Sequence, residues 1–291
     1  MSRIFGGVIL AQVLVASMSH ADDLKLPSSV SVSGGAGSQS YQDWGLFGAF
    51  TLPHNWQADL SLRRTATEGS DSSDGTQFIR EAEIGLGTNP LKPWSGRIGV
   101  NRWEAPSSVI ATGSSASVVW TPWRWAFELV GGGQKLELRN LPSSVVSSQK
   151  TTVQDSFVSL RVSTPTYHRF RFTARATSHH YDKDISEISN YTSTILDQFP
   201  PSVLTSLTGL NKNDVMLNAL FMRSRWDLGA EVGRSISAID GSRTRRLGAQ
   251  AVFYLNDQWS FGLATAFYKP ESDEASNATT HATTGTATFS F

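Results

Sequence analysis

Ionisable residues recur at every second position along several stretches of this chain. Arg169, Arg171 and Arg175 share one such spacing, as do Glu81 and Glu83, while Arg63, Arg97, Arg161, Arg246, Asp59, Glu128, Asp227 and Glu231 stand singly in similar runs. A spacing of two places side chains on one face of an extended strand. A face with guanidiniums on one part and carboxylates on another orients dipolar solutes and biases which sign of ion passes, provided water reaches it. If water is excluded, the same groups pair with one another and simply fill space.

The elements that must carry these residues are strands. Phe170, Phe172, Ala174 and Ala176 alternate with Arg169, Arg171, Thr173 and Arg175; Leu247, Ala249, Ala251 and Phe253 alternate with Arg246, Gly248, Gln250 and Val252. Trp259, Phe261, Leu263, Thr265 and Phe267 repeat the pattern. Each run is near ten residues, whereas strands of globular proteins average about 5–6. Fourteen strands are predicted, at 29–36, 43–52, 56–66, 76–88, 94–103, 112–121, 124–139, 152–163, 167–178, 214–224, 226–237, 245–255, 258–268 and 280–291, with twelve or sixteen as the alternatives. In 124–139 the apolar phase shifts from Phe127 and Leu129 to Leu136 and Leu138, which predicts a β-bulge at Gly131-Gly132-Gly133.

The connections fall into two classes that alternate. Pro53-His54-Asn55, Pro122-Trp123, Thr164-Pro165-Thr166 and Asn256-Asp257 are tight, whereas 67–75, 140–151 and 269–279 are longer and rich in Ser, Asp, Thr and Asn. The longest, 179–213, carries an apolar stretch in which Pro201 and Gly209 would bound a short helix over 201–208. A connection of this length and apolarity is expected to fold inward as a constriction or to pack on the surface.

Before the first strand, Met1 to Arg3 form a short positive start, 4–18 form an apolar stretch and Ser19-His20-Ala21 supplies small residues at a cleavage position. That order predicts a cleaved secretory signal peptide, 1–21, followed by a periplasmic segment, 22–28, and a barrel domain, 29–291. No other stretch approaches the ~18 consecutive apolar residues of a transmembrane helix.

Seven of the nine tryptophans (Trp56, Trp94, Trp120, Trp123, Trp125, Trp226 and Trp259) lie at the short-turn end, and the chain stops on a strand with Phe289 and Phe291 on one face. Indoles prefer a membrane–water boundary, which makes these seven the expected interface girdle. Together with the alternating turns, the ending resembles the C-terminal signature of Gram-negative outer-membrane β-barrel proteins, a terminal strand whose Phe the insertion machinery recognises. The resemblance implies an all-β, closed antiparallel transmembrane barrel, integral to the outer membrane, with short periplasmic turns and longer extracellular loops. It implies contact with outer-membrane lipid and lipopolysaccharide, delivery by periplasmic chaperones and the barrel-assembly machinery, and a monomer or weak oligomer. Phe289 and Phe291 would be the insertion signal.

A porin-like channel is the leading expectation. Its pore-lining residues would be Arg63, Arg97, Arg161, Arg169, Arg171, Arg175, Arg246, Asp59, Glu81, Glu83, Glu128 and Glu231, passing small polar solutes or ions passively. A non-conducting structural or export-complex barrel, or a rim-located hydrolase, are the alternatives. The hydrolase would draw on Asp71, Asp74, His179, His180 and Asp182, an arrangement similar to the rim pairs of omptin-type proteases. The spacing matches no motif of that family residue by residue, so no catalytic role is carried over. A His179/His180/Asp182 metal site has no second cluster behind it. With no cysteine there is no thiolate ligand or nucleophile, and 25 basic against 25 acidic residues leave no basic excess for nucleic acid. No catalytic residue, metal or cofactor is expected.

Overall fold

Alternation makes each run two-faced, and a two-faced strand needs a different environment on each side. The computed structural model describes residues 27–38, 41–68, 76–105, 109–138, 151–185, 210–239, 241–271 and 279–291. The predicted signal peptide, the 201–208 helix, Asp71 and Asp74 lie outside the described residues.

Fourteen strands run in order: β1 (Ser29–Gly37), β2 (Gln42–Thr51), β3 (Trp56–Glu68), β4 (Thr76–Thr88), β5 (Trp94–Ala105), β6 (Val109–Trp120), β7 (Ala126–Leu138), β8 (Thr151–Ser163), β9 (Phe170–Tyr181), β10 (Asn211–Met222), β11 (Trp226–Ser237), β12 (Arg243–Tyr254), β13 (Trp259–Pro270) and β14 (Thr280–Ser290). Each pairs antiparallel with its sequence neighbours, and β1 pairs with β14 from Ser29 opposite Ser290 to Gly37 opposite Ala282, closing the ring. Ser31 and Thr288 hydroxyls meet across that seam at 2.8 Å. Closure leaves no strand edge unpaired, which is the condition for a sheet to stand in lipid.

One face of the ring is an apolar surface. Ile84, Ile98, Val100, Leu247 and Leu263 are 58–61% exposed, and Val158, Leu217, Val232 and Phe261 add to the same belt. Soluble monomers rarely present so continuous an apolar face to water, whereas lipid requires one. No helix among the described residues is long and apolar enough to cross a membrane.

The structure corrects three expectations. Beta7 stays in register with β6 and β8 through Gly131, Gly132 and Gly133, so the predicted bulge is absent there. Leu136 points inward and is fully buried, while Lys135 and Glu137 take the outer face beyond the belt. The phase shift read from the sequence is therefore a change of environment rather than of backbone. Gly132 lies under the Phe157 ring, where a Cβ would stand 2.6 Å from a ring carbon. The irregularity sits instead in β10, between Asn211 and Asn213.

The third correction concerns 167–178. Beta9 begins at Phe170 because Tyr167 and Phe170 exchange backbone hydrogen bonds around a two-residue turn. His168 (φ 47°) and Arg169 (φ 74°) both adopt left-handed backbone there. L-residues resist that region by about 1–2 kcal/mol, which is why such turns favour Asn-Gly. Arg169→Gly is accordingly expected to stabilise the barrel by about 1 kcal/mol, partly offset by chain entropy. Urea unfolding in lipid vesicles, followed by tryptophan fluorescence, would show the midpoint rise.

Candidate functional site

The inner face gathers the charges. Arg63 of β3 is held by Asp43 of β2, its Nε and Nη2 donating to the two carboxylate oxygens at 2.5 and 2.7 Å, with Tyr41 Oη accepting from Nη2 at 3.0 Å. Arg97 of β5 reaches past β4 to Asp59 of β3, at 2.9 and 2.5 Å, and to Glu83 at 2.7 Å. Arg161 lies 2.8 Å from Glu128, Arg175 donates to Asp214 at 2.8 Å, and Arg246 lies 2.5 Å from Glu231. Charge-assisted, partly bidentate pairs of this kind fix side-chain orientation as well as lowering the cost of burial.

Each pair joins strands that are adjacent or next but one. The charged wall is therefore neutralised locally along the sheet, rather than divided into opposed positive and negative walls as the sequence spacing suggested. Glycines make room for it. A Cβ at Gly85 would stand 2.6 Å from Arg97 Nε, and one at Gly248 would stand 2.6 Å from Glu231 Oε1. Without those side chains the ion pairs lie flat on the wall. They keep access to water: Asp59 and Arg97 side chains are 31% and 30% exposed, and Glu83 is 22% exposed.

Two of the expected residues differ in kind from the rest. Arg169 sits in the turn before β9, exposed, and not along the inner wall, because the left-handed pair ends the hairpin there. Arg171 faces inward opposite Leu220, and among the described residues no carboxylate meets it; Arg161 is its charged neighbour. Glu81 is buried between Arg63 of β3 and Trp103 of β5, opposite both in register. The sequence reading missed Asp43, Asp155 and Asp214, the last two sharing the inward parity of Arg161 and Met216.

The inner faces of β13, β14 and β1 are different again. Gly262, Ala264, Ala266, Ala282, Thr284, Thr286, Ser33 and Gly35 are small and uncharged, and they face the charged wall.

At the loop end the interior turns apolar. Ile79, Trp103, Ala105, Val109, Ala111, Leu136 and Val153 of β4–β8 form one buried cluster with Ile185 and Leu210, at the two ends of the β9–β10 connection, and Ile239, after β11. Trp103 is 1% exposed and its indole Nε1 has no acceptor among the described residues. Since β11 stands opposite β4 in a ring of fourteen, the cluster joins residues from opposite sides of the barrel at this end. Just below it Asp155, fully buried, lies 2.8 Å from His179 Nδ1 and accepts from Gln134 Nε2 at 2.9 Å. His179 thus points into the barrel, whereas His180 faces out and Asp182 accepts from the Gln154 amide. The three do not converge, and no group of His, Asp and Glu suited to a metal occurs among the described residues.

At the opposite end Trp56, Trp94, Trp120, Trp226 and Trp259 stand on the outer face, with Trp123 and Trp125 in the β6–β7 turn. Trp94 stacks on Trp120 at 5.6 Å, and Trp259 packs on Phe289 at 4.9 Å, with Phe291 beyond it.

No protein-family model and no curated protein matches the chain. Among solved structures it is similar to the CymD monoaromatic hydrocarbon channel, with a TM-score of 0.53 and 10% identity over 98% of this chain and 92% of that one. It is also similar to a bacterial polysaccharide outer membrane secretin, with a TM-score of 0.52 and 13% identity over 92% of this chain and all of that one. At such identities the likeness concerns the fold. The fold is that of an integral β-barrel of the bacterial outer membrane.

Proposed function

We propose that the chain is an outer-membrane channel for passive diffusion of small polar solutes or ions through a charged lumen. The observation that carries this reading is the accessibility of Asp59, Arg97 and Glu83, which face inward yet keep 22–31% of their side-chain surface open. Charges in a filled interior would be sealed; these border space that water enters. The small residues of β13, β14 and β1 leave a lane beside them, and the structural likeness to the CymD monoaromatic hydrocarbon channel supports a conducting barrel. The apolar cluster narrows the extracellular mouth on the β4–β11 side, so solutes would enter past the neutral wall and then meet the ion pairs. Water held by fixed dipoles and charges replaces part of a solute's hydration, which favours polar over apolar cargo. Export behind the 1–21 signal peptide, and assembly through the Phe289/Phe291 strand, belong to the same reading.

Liposome swelling tests it. Vesicles carrying the refolded protein are expected to swell in small neutral and anionic solutes, faster as solute size falls. Swelling no faster than that of protein-free vesicles, with a barrel shown to be folded by heat-modifiable migration, would overturn it.

A further inference from the structure

On the outer face at the loop end, β11, β12 and β13 set Arg234, Arg245 and Lys269 directly opposite one another. Like charges in register repel across strands, so a row of three needs anions. Glu271 answers part of that need, accepting from Arg234 Nη2 at 2.5 Å and from Arg245 Nε. The hydrogen bond from Arg245, with that from Arg234, holds the Glu271 carboxyl below its ordinary value, so it stays ionised and is spent on those two. Arg243 adds a further exposed cation on the same face, and the Arg234 and Arg245 side chains remain 50% and 72% exposed.

Directly beneath this row the belt begins, with Val232, Leu247 and Phe267 opposite one another at 45–61% exposure. Beneath that, Ala230, Ala249 and Ala251 are small, and they open into an outer-surface groove lined by Leu228, Phe253, Phe261 and Leu263. Six residues of β12 separate Arg245 from Ala251, about 20 Å along the strand and, at the ~40° tilt of such barrels, about 15 Å of depth. That is half of a ~30 Å hydrocarbon core, or one leaflet.

We propose that this face of β11–β13 is a binding site for a phosphorylated lipid of the outer leaflet, its phosphate on Arg234, Arg245 and Lys269 and one acyl chain running over Leu247 and Ala249 into the groove. Cations at headgroup depth gain affinity from phosphate, and the lane of small residues selects a lipid over a soluble anion. The site rests on the belt facing lipid and not on conduction, so either reading can fail alone.

Native mass spectrometry of the folded, delipidated protein in detergent provides the test, with diphosphoryl lipid A, the same lipid stripped of phosphate, and inorganic phosphate as competitor. The wild type is expected to retain one diphosphoryl lipid. The triple variant Arg234→Gln, Arg245→Gln, Lys269→Gln should lose affinity by about tenfold or more, whereas Arg64→Gln with Arg80→Gln, on the opposite side of the barrel, should change it little. Ala249→Phe should weaken retention with every cation in place. Equal binding by the triple variant, equal binding of the dephosphorylated lipid, an equal loss in the Arg64/Arg80 variant, or displacement by inorganic phosphate at lipid-like concentration would each overturn the proposal.

Discussion

Trp103→Ala, inserted in a planar bilayer as a folded barrel, is expected to pass about twofold or more the current of the parent chain, because apolar constrictions control conduction through both width and wetting. Trp103 is the largest fully buried side chain in the described residues, and it anchors the cluster that Ile185, Leu210 and Ile239 close from the loop side. Removing the indole takes the floor from under those three residues and opens the gap to lumen water. The same change should cost about 3–5 kcal/mol of stability, so heat-modifiable migration must confirm that the barrel is folded before currents are compared. Trp103→Phe separates the two effects. It keeps an apolar plug and removes an N–H that has no acceptor among the described residues, so parental conductance is expected, with stability changed by less than about 1.5 kcal/mol. A folded alanine variant with parental conductance would remove the cluster from the conduction path.

Arg171→Glu is expected to move ion selectivity toward cations. Arg161, Arg175, Arg246, Arg63 and Arg97 each have a carboxylate within reach, so their fields are answered locally. Arg171 has none among the described residues. A unit charge acts on an ion ~6 Å away in water with about 0.7 kcal/mol, and reversing its sign doubles the difference to about 1.4 kcal/mol, or tenfold before screening. Screening at 0.1 M salt lowers this to roughly threefold for each ion, in opposite senses for anion and cation and so about tenfold in the anion-to-cation permeability ratio, and at 1 M, where the Debye length is about 3 Å, most of the effect should vanish. Reversal potentials in a salt gradient measure it. Arg169→Glu serves as the control, since that residue lies outside the lumen in the turn. Equal shifts from both variants would place the selective field at the rim instead.

The ring of strands was legible because membrane barrels write their environment at every second residue. All fourteen runs appear, with ends within three residues of those the alternation set, and short turns alternate with long connections. What the pattern cannot say is which apolar residues face lipid and which face a plug. Leu136 carries the same letter as Leu129, yet one is fully buried and the other 55% exposed. The parity of Lys135 and Glu137 on the opposite face was the signal that no bulge was needed. Pairing was hidden for a different reason. Arg97 meets Asp59 across an intervening strand, and only the stagger of a closed sheet brings them together. Asp43 and Asp214 are the first residues of the predicted strands 43–52 and 214–224, and each stands on the inward parity and answers an arginine already singled out.

Single-channel recording of the parent protein, refolded in detergent and inserted in a planar bilayer, tests the central claim most directly. Discrete, ohmic current steps, larger in Trp103→Ala, are the result expected of a water-filled lumen lined by ion pairs. A folded barrel that stays electrically silent, in both the parent and Trp103→Ala, would contradict the channel reading.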